Sequence, residues 1–177
     1  GTKDSWTVSA VATNDASVSN EETGTVTVDT VTGHDLTGDT SLSGNPGDTV
    51  TYHFTILNTG NAQEKMDYTV TSSWNVDTPG GSTTLAMGAS DTISVTQTIP
   101  ANAGSGDSAS VTFSVINGDG SSTSVTTTAN QVFGVTVTAG TLTGLNPGGS
   151  GDLSFTVTNT GNGFDTFTIG HSGVWAN

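Results

Sequence analysis

Short runs in which apolar and polar side chains alternate recur along most of the chain. In residues 50–56 every second side chain is apolar, and residues 91–98 and 108–116 show the same period. Alternation with a period of two predicts β-strands that bury one face. Turn signals such as Pro46-Gly47-Asp48 separate the runs. The pattern therefore predicts an all-β fold built from short strands.

Residues 24–129 contain about seven such runs, separated by turn signals at intervals of about 8–12 residues. This spacing is expected of an Ig-like β-sandwich, in which two sheets bury their alternating apolar faces against each other. The first strand is predicted over residues 24–31, with Val26 and Val28 directed inward. Residues 33–47, which are rich in Gly, Asp and Ser, are predicted to form a connection.

Part of this sequence recurs about 101 residues further along the chain. The segment 45–61 returns as 146–162, and its loop Asn58-Thr59-Gly60-Asn61 returns as Asn159-Thr160-Gly161-Asn162. The second copy contains only the opening of the sandwich, with strands predicted over 132–139, 151–159 and 164–170. An interrupted sandwich of this kind needs strands from elsewhere to close.

Residues 4–14 match residues 107–117, near the end of the complete copy, in the order and spacing of their apolar positions. The sequence therefore predicts one complete domain flanked by partial domains. These are a partial domain or donor strands at 1–23, a complete Ig-like β-sandwich at 24–130, and the first strands of a second, incomplete sandwich at 131–177. The stretch Asp77–Ala103 has no counterpart at either end, so a sandwich built from the two ends lacks about two strands.

Composition narrows the functional classes. The net charge is −14, with only 2 Lys and Arg residues, which argues against binding of nucleic acid or of anionic membranes. The chain has no Cys, so disulfides and thiolate metal sites are excluded. No apolar run approaches the roughly 20 residues of a membrane span. A negative, lysine-poor surface fits a protein that a prokaryote secretes or displays on its surface.

Two family resemblances support that interpretation. Residues 46–61 resemble the signature of prokaryotic Ig-like surface repeats, which include the CARDB-type and α-galactosidase-associated sandwich domains. Residues 139–148 and 155–161 are similar to the early strands of TasA/camelysin-type biofilm fibre proteins. The first resemblance implies an extracellular or cell-surface sandwich. The second implies subunits that polymerise when the N-terminal segment of one enters the sheet of its neighbour.

The side chains with reactive groups favour no enzyme. The three histidines, His34, His53 and His171, lack ligand spacing, and no nucleophile–base pair, phosphate loop or carboxylate pair stands out. Trp74 and Trp175 are in phase with apolar neighbours, which indicates core packing rather than sugar stacking. The sequence thus predicts no catalytic residue, metal site or cofactor. Aspartates in turns leave a loop-bound calcium ion open, and the Thr-rich outer faces leave surface glycans open.

The main hypothesis is a non-enzymatic subunit of an extracellular or cell-surface filament. It assembles with itself, head to tail, when N-terminal strands complete the C-terminal sandwich of another copy. We call the four predicted donor residues the donor face: Trp6, Val8, Ala10 and Ala12. We call the five predicted acceptor residues the acceptor face: Phe155, Val157, Phe167, Ile169 and Trp175.

Two alternatives remain open from the sequence. The chain could be part of a longer tandem-repeat adhesin or S-layer stalk, which would contain the missing stretch of the second sandwich. It could also be a carbohydrate-binding accessory module of a secreted enzyme, with tryptophan as the sugar platform.

Overall fold

The computed structural model describes residues 3–118 and 120–173, and all of the regular structure in these residues is β-strand. The all-β prediction is confirmed. The strands are β1 Lys3–Ala12, β2 Asp15–Thr27, β3 His34–Gly38, β4 Leu42–Gly44, β5 Thr49–Asn58, β6 Glu64–Thr71, β7 Gly80–Leu85, β8 Ser90–Thr98, β9 Ser108–Val115, β10 Ser121–Ala129, β11 Val135–Ala139 and β12 Phe155–Asn159.

Strands β3 to β10 form an Ig-like β-sandwich, which we call the central sandwich. One sheet has the order β3-β5-β8 and the other the order β4-β10-β9-β6-β7. The first strand of the sandwich is divided between the sheets, because β3 pairs antiparallel with β5 and β4 pairs parallel with β10. The last hairpin, β9–β10, therefore lies across the interior from the first pair, β3–β5.

The alternating pattern produces the core. In β5, Tyr52, Phe54 and Ile56 are fully buried, while the intervening Thr51 and His53 are exposed. The Phe54 ring stacks on Phe113 of β9 with centroids 4.9 Å apart, and this contact joins the two sheets. Other members of the same core are Met66, Val70, Leu85, Ile93, Val95, Val111, Val115 and Val125.

The opening of the central sandwich differs from the sequence prediction. Residues 24–27 do not start the sandwich but continue β2, and Val26 and Val28 are exposed rather than buried. The first sandwich strand, β3, and the short β4 lie instead within residues 33–47, which were predicted to be a connection. Gly24 looked like a strand start, but it lies inside β2, opposite Trp6 of β1.

Two hairpins lie outside the central sandwich. At the N-terminal side β1 pairs antiparallel with β2, from Lys3↔Thr27 to Ala12↔Asp15. At the C-terminal side β11 pairs antiparallel with β12. In the described chain each of these hairpins forms its own two-stranded sheet. Residues 164–170, which were predicted to be a strand, carry no regular structure.

Candidate assembly surfaces

The loop that follows β5 is held by the side chains of two asparagines. Asn58 Oδ1 accepts the Gly60 N–H at 2.9 Å, and Asn58 Nδ2 donates to the Ala62 carbonyl at 2.8 Å. Asn61 Oδ1 accepts the Val31 N–H at 2.9 Å. These bonds tie the loop to itself and to the segment that leads into β3.

The second copy of the loop has the same hydrogen bonds. Asn159 Oδ1 accepts the Gly161 N–H at 2.9 Å, and Asn159 Nδ2 donates to the Gly163 carbonyl at 2.8 Å. Asn162 Oδ1 accepts the Val132 N–H at 2.7 Å. The repeat seen in the sequence is therefore a repeat of a particular loop structure.

Strand registers also recur at the spacing of the loops. In the central sandwich His34 pairs with Asn58, and in the C-terminal hairpin Val135 pairs with Asn159. In both copies the glycine of the loop lies against a carbonyl of the incoming segment, Val31 for Gly60 and Val132 for Gly161, where a Cβ would collide. The β11–β12 hairpin is thus the structural equivalent of β3–β5.

The two equivalent pairs differ in what covers them. Phe54 is fully buried under Phe113, whereas its equivalent Phe155 is 59% exposed. Val137, opposite Val157 in the hairpin, is 61% exposed. The β11–β12 hairpin therefore presents an apolar face that the equivalent strands of the central sandwich bury.

The predicted acceptor face is only partly assembled. Phe155 and Val157 lie on β12, and together with Ile169 they line an open cleft of about 400 Å³. Ile169 is 69% exposed, and Phe167 is half-buried in the irregular segment after β12. Trp175 lies outside the described residues. Sequence reasoning missed Val137, whose place is fixed by the register with Val157.

The predicted donor face lies on β1, where Trp6, Val8 and Ala10 share one side of the N-terminal hairpin and Ala12 follows a shift in register. Trp6 is 66% and Val8 72% exposed, and Ala10 and Ala12 are also exposed. Val26 of β2 is on the same side, since its pairing with Asp4 places it two positions beyond the Trp6–Gly24 pair. That side also carries Asp4 and Glu22, opposite Val26 and Val8, so the hairpin presents a second uncovered face that is apolar in part.

This N-terminal hairpin is the equivalent of β9–β10. The segments that follow the two hairpins make matching contacts, because Asn61 Nδ2 donates to the Asp29 carbonyl at 2.9 Å and Asn162 Nδ2 donates to the Asn130 carbonyl at 2.9 Å. Position 27 therefore corresponds to position 128. When the two hairpins are aligned in this way, the Trp6–Gly24 pair takes the place of the Val111–Val125 pair of the central sandwich.

The structural frame differs by two residues from the match made on sequence alone, which aligned residues 4–14 with 107–117. Trp6 is equivalent to Val111 rather than to Ala109, because the paired strands of the N-terminal hairpin continue beyond the Ala10–Asn20 pair, which corresponds to Val115–Ser121. A shift of two residues in a strand preserves the face. Trp6, Val8 and Ala10 therefore take the places of Val111, Phe113 and Val115, which β9 buries in the central sandwich.

The C-terminal hairpin is attached to the central sandwich by backbone and side-chain bonds. The Ser105 N–H donates to the Asn162 carbonyl at 2.9 Å, and Asn162 Nδ2 donates to the Ala103 carbonyl at 3.1 Å. Gln131 Nε2 also donates to the Phe164 carbonyl at 2.8 Å. Asn162 thus joins its own loop, the linker and the loop 101–105 of the sandwich.

Other polar side chains have structural partners. His53 is exposed, with Nδ1 3.0 Å from Asp39 Oδ2. The His53 N–H donates to the same oxygen at 2.8 Å, and this bond lowers the pKa of Asp39 below its ordinary value. His34, predicted in a loop, lies in β3 with Nε2 2.8 Å from Ser121 Oγ. Across residues 3–118 and 120–173, no three His, Cys, Asp or Glu residues form a group that could hold a metal ion.

Trp74 packs against the smaller core of Ile99, Ala103 and Ala129 and is half-buried, as its phase with apolar neighbours predicted. Among the described residues, no helix is long and apolar enough to cross a membrane.

Comparison with known proteins identifies no family for this chain. No family model matches the chain, and no curated protein matches it by sequence. Neither the CARDB-type nor the TasA/camelysin-type resemblance is therefore confirmed, whereas the two packed sheets of the structure itself confirm the Ig-like β-sandwich.

Solved structures with a similar arrangement of strands are distant. A chain from the human seminal plasma complex of zinc 2-glycoprotein and prolactin inducible protein matches at 11% identity and TM-score 0.41, covering 54% of this chain and 93% of its own. Native alpha-2-macroglobulin of Escherichia coli matches at 13% identity and TM-score 0.41, over 63% of this chain and 18% of its own. A chain of the chaperone–tip adhesin complex of CFA/I fimbriae matches at 10% identity and TM-score 0.39, covering 73% and 68%. This chain thus spans less than a fifth of the macroglobulin chain.

Proposed function

We propose that the protein is a non-enzymatic structural subunit of an extracellular or cell-surface filament. The N-terminal hairpin of one copy lies on the C-terminal hairpin of another and closes an Ig-like sandwich between them. Because the contacting surfaces are different and lie on opposite sides of the central sandwich in the chain, the contact is head-to-tail and can repeat indefinitely.

One observation carries the proposal. The chain contains uncovered equivalents of the two hairpins that bury each other in the central sandwich, namely β1–β2 for β9–β10 and β11–β12 for β3–β5. Burial of apolar area stabilises association, and the donor face and the face around Phe155 are of the type that this association removes from water. In the central sandwich β9–β10 covers β3–β5. By analogy, the N-terminal hairpin of one copy covers the C-terminal hairpin of another.

An intersubunit pairing follows from the same equivalence. In the central sandwich β10 pairs with β4 through Thr127↔Leu42 and Ala129↔Gly44. The equivalent positions in the joint are Val26 with Thr143 and Val28 with Leu145. Strand β2 of one copy therefore adds residues 143–145 of the next as a parallel neighbour, which is β-augmentation.

The joint lacks equivalents of β7 and β8, and Leu145 compensates in part for the loss of β8. Gly44 lies so close to Ile99, at the end of β8, that a Cβ would be 2.9 Å from the Ile99 side chain. The equivalent of Gly44 is Leu145. Its side chain supplies apolar volume where the central sandwich uses Ile99, so the missing strand leaves less of a void.

Disulfide cross-linking tests the joint directly, because the chain has no native Cys. In the double variant Val26→Cys/Thr143→Cys, the two thiols are on neighbouring strands about 4.8 Å apart, within the Cα range of about 4.4–6.8 Å that a disulfide spans. Oxidation is expected to give a ladder of covalent oligomers on a non-reducing gel. Reduction returns the ladder to one band.

Matched variants complete the design. Val26→Cys alone can form covalent dimers but no ladder. Val26→Cys/Leu42→Cys places the second thiol on the intact sandwich, where β10 already occupies the edge, and is expected to behave like the single variant. A double variant that stays monomeric, or that closes a disulfide within one chain, contradicts head-to-tail assembly.

The same joint can occur between modules of one longer tandem-repeat polypeptide. The intact mass of the native protein separates the two arrangements. A mass well above 17.7 kDa favours the tandem repeat over the filament subunit.

A further inference from the structure

A buried polar pair connects the two sheets of the central sandwich. Tyr52 and Thr127 are fully buried, and their hydroxyl oxygens are 2.8 Å apart. Tyr52 Oη also donates to the Thr126 carbonyl at 3.1 Å, and the Thr127 hydroxyl donates to the side-chain carbonyl of Gln97. Each hydroxyl in this interior therefore has a partner, as buried polar groups require.

Both members of the pair are replaced by apolar residues at the equivalent positions. Leu153 takes the place of Tyr52, and Val26 takes the place of Thr127. Both are exposed in the described chain, Leu153 at 46% and Val26 at 57%. The two changes lie on opposite sides of the proposed joint, more than 120 residues apart in the chain, yet together they convert a polar pair into an apolar one.

A second exchange across the N-terminal hairpin has the same character. The neighbouring Val111 and Val125 of the central sandwich become Trp6 and Gly24. The large side chain of Trp6, opposite a glycine, replaces two valine side chains. The apolar volume of the pair is therefore redistributed rather than lost. The N-terminal hairpin is thus adapted as a unit to an interior different from that of the central sandwich.

We infer that the pair formed by Val26 and Leu153, which we call the 26–153 pair, determines which sandwich the N-terminal hairpin enters. The inference rests on the proposed function, and it names the residues that select the partner. Against Leu153, Val26 is accommodated without an unpaired polar group. Against Tyr52 in a central sandwich, Val26 would remove the hydroxyl that contacts Tyr52, and the buried side-chain carbonyl of Gln97 would lose its donor.

This arrangement discriminates against the wrong joint as well as favouring the right one. A buried carbonyl oxygen without a donor is costly in an apolar interior, and specificity commonly depends on such a penalty in the competing complex. The 26–153 pair therefore directs the N-terminal hairpin to the C-terminal hairpin of a second copy and away from exchange with β9–β10 of its central sandwich.

A double-mutant cycle on the full chain tests this pair. Val26→Thr places a hydroxyl against Leu153, and Leu153→Tyr places one against Val26. Each single variant is expected to raise the critical concentration for assembly, measured by sedimentation, by about 10- to 100-fold. The double variant Val26→Thr/Leu153→Tyr restores the hydroxyl pair and is expected to recover at least about 10-fold of the combined loss.

Val11→Thr is the matched control. Val11 is on the same strand as Trp6 but on its other face, and it is 59% exposed. This variant makes the same chemical change outside the joint and is expected to leave the critical concentration unchanged. If Leu153→Tyr perturbs its own hairpin, Val26→Thr and Val26→Ile still test the pair, since only the hydroxyl should weaken assembly strongly.

The outcomes separate this inference from the proposed function. Additive effects of the two single changes overturn the 26–153 pair alone, provided that the native chain assembles and the Val26→Cys/Thr143→Cys variant gives the oxidised ladder. A native chain that does not assemble, together with a Val26→Cys/Thr143→Cys variant that gives no ladder, overturns the proposed function itself.

Discussion

The central sandwich and the C-terminal hairpin contain the same strand pair in two surroundings. Their loops share the same hydrogen bonds and their registers coincide. They differ in what packs on them. Strands β9–β10 lie over β3–β5, whereas β11–β12 is exposed in the described chain. The comparison separates two contributions. Local hydrogen bonds define the geometry of the pair, and the cover supplies most of the stability that apolar burial provides.

The largest expected effect comes from removing equivalent phenylalanines. Phe54→Ala is expected to lower the free energy of unfolding of the central sandwich by about 3–5 kcal/mol, since the side chain is fully buried and stacked. Phe155→Ala should leave that free energy within about 0.5 kcal/mol, because the ring is exposed. Urea unfolding followed by tryptophan fluorescence measures both. Equal losses in the two variants would mean that the C-terminal hairpin folds as part of the central sandwich.

The loop asparagines give a smaller contrast. Asn58 is fully buried and also donates to the Leu85 carbonyl at 2.9 Å, whereas Asn159 is exposed. Asn58→Ala leaves buried backbone groups unpaired and is expected to cost about 2–3 kcal/mol. Asn159→Ala is expected to cost the central sandwich less than about 0.5 kcal/mol. The urea concentrations at the midpoint of unfolding compare the two variants when their m-values are equal. A large effect of Asn159→Ala would contradict the view that the exposed loop adds little to the stability of the central sandwich.

Removing the N-terminal hairpin is expected to affect assembly far more than folding. Deletion of residues 1–27 removes the donor face but no strand of the central sandwich. The thermal midpoint of the sandwich should therefore change by no more than about 2–4 °C, while filaments disappear from electron micrographs. Persistent filaments would show that the hairpin is not the donor.

Acid titration gives the smallest expected effect. The Thr96 N–H donates to Asp77 and lowers its pKa, while the Ser17 hydroxyl, with the Ser17 N–H, lowers that of Asp15. A carboxylate with a lowered pKa stabilises the fold above the pKa of the unfolded chain, near 4, and this contribution is lost as the pH falls through the folded value. Asp77→Asn should flatten the acid limb of sandwich stability, whereas Asp15→Asn in the hairpin should not. Both urea midpoints are measured from pH 6 to pH 2.5.

The sequence was sufficient for the fold class and for the repeated loop. Alternation in β5, β8 and β9 placed their buried side chains correctly, because each strand has one face in the core. The loop was visible because Asn58, Gly60 and Asn61 each have a conformation or a hydrogen bond that few residues can supply.

The boundary of the N-terminal hairpin could not be read in the same way. Glycine commonly marks a turn, but Gly24 lies inside β2, where it pairs with Trp6 of the neighbouring strand. Strand β3 was missed because only Leu36 in it is a large apolar residue. The assembly faces depend on a register between segments far apart in the chain, so Val26 and Leu153 became equivalent to Thr127 and Tyr52 only when the pairings were known.

The bonds made by Asn162 have a mechanical consequence. Its backbone carbonyl and side chain connect the linker 130–132 and the loop 101–105 of the sandwich. Bending between the sandwich and the next hairpin must stretch several of these bonds at once. A filament assembled as proposed is therefore expected to resist bending at each of these junctions.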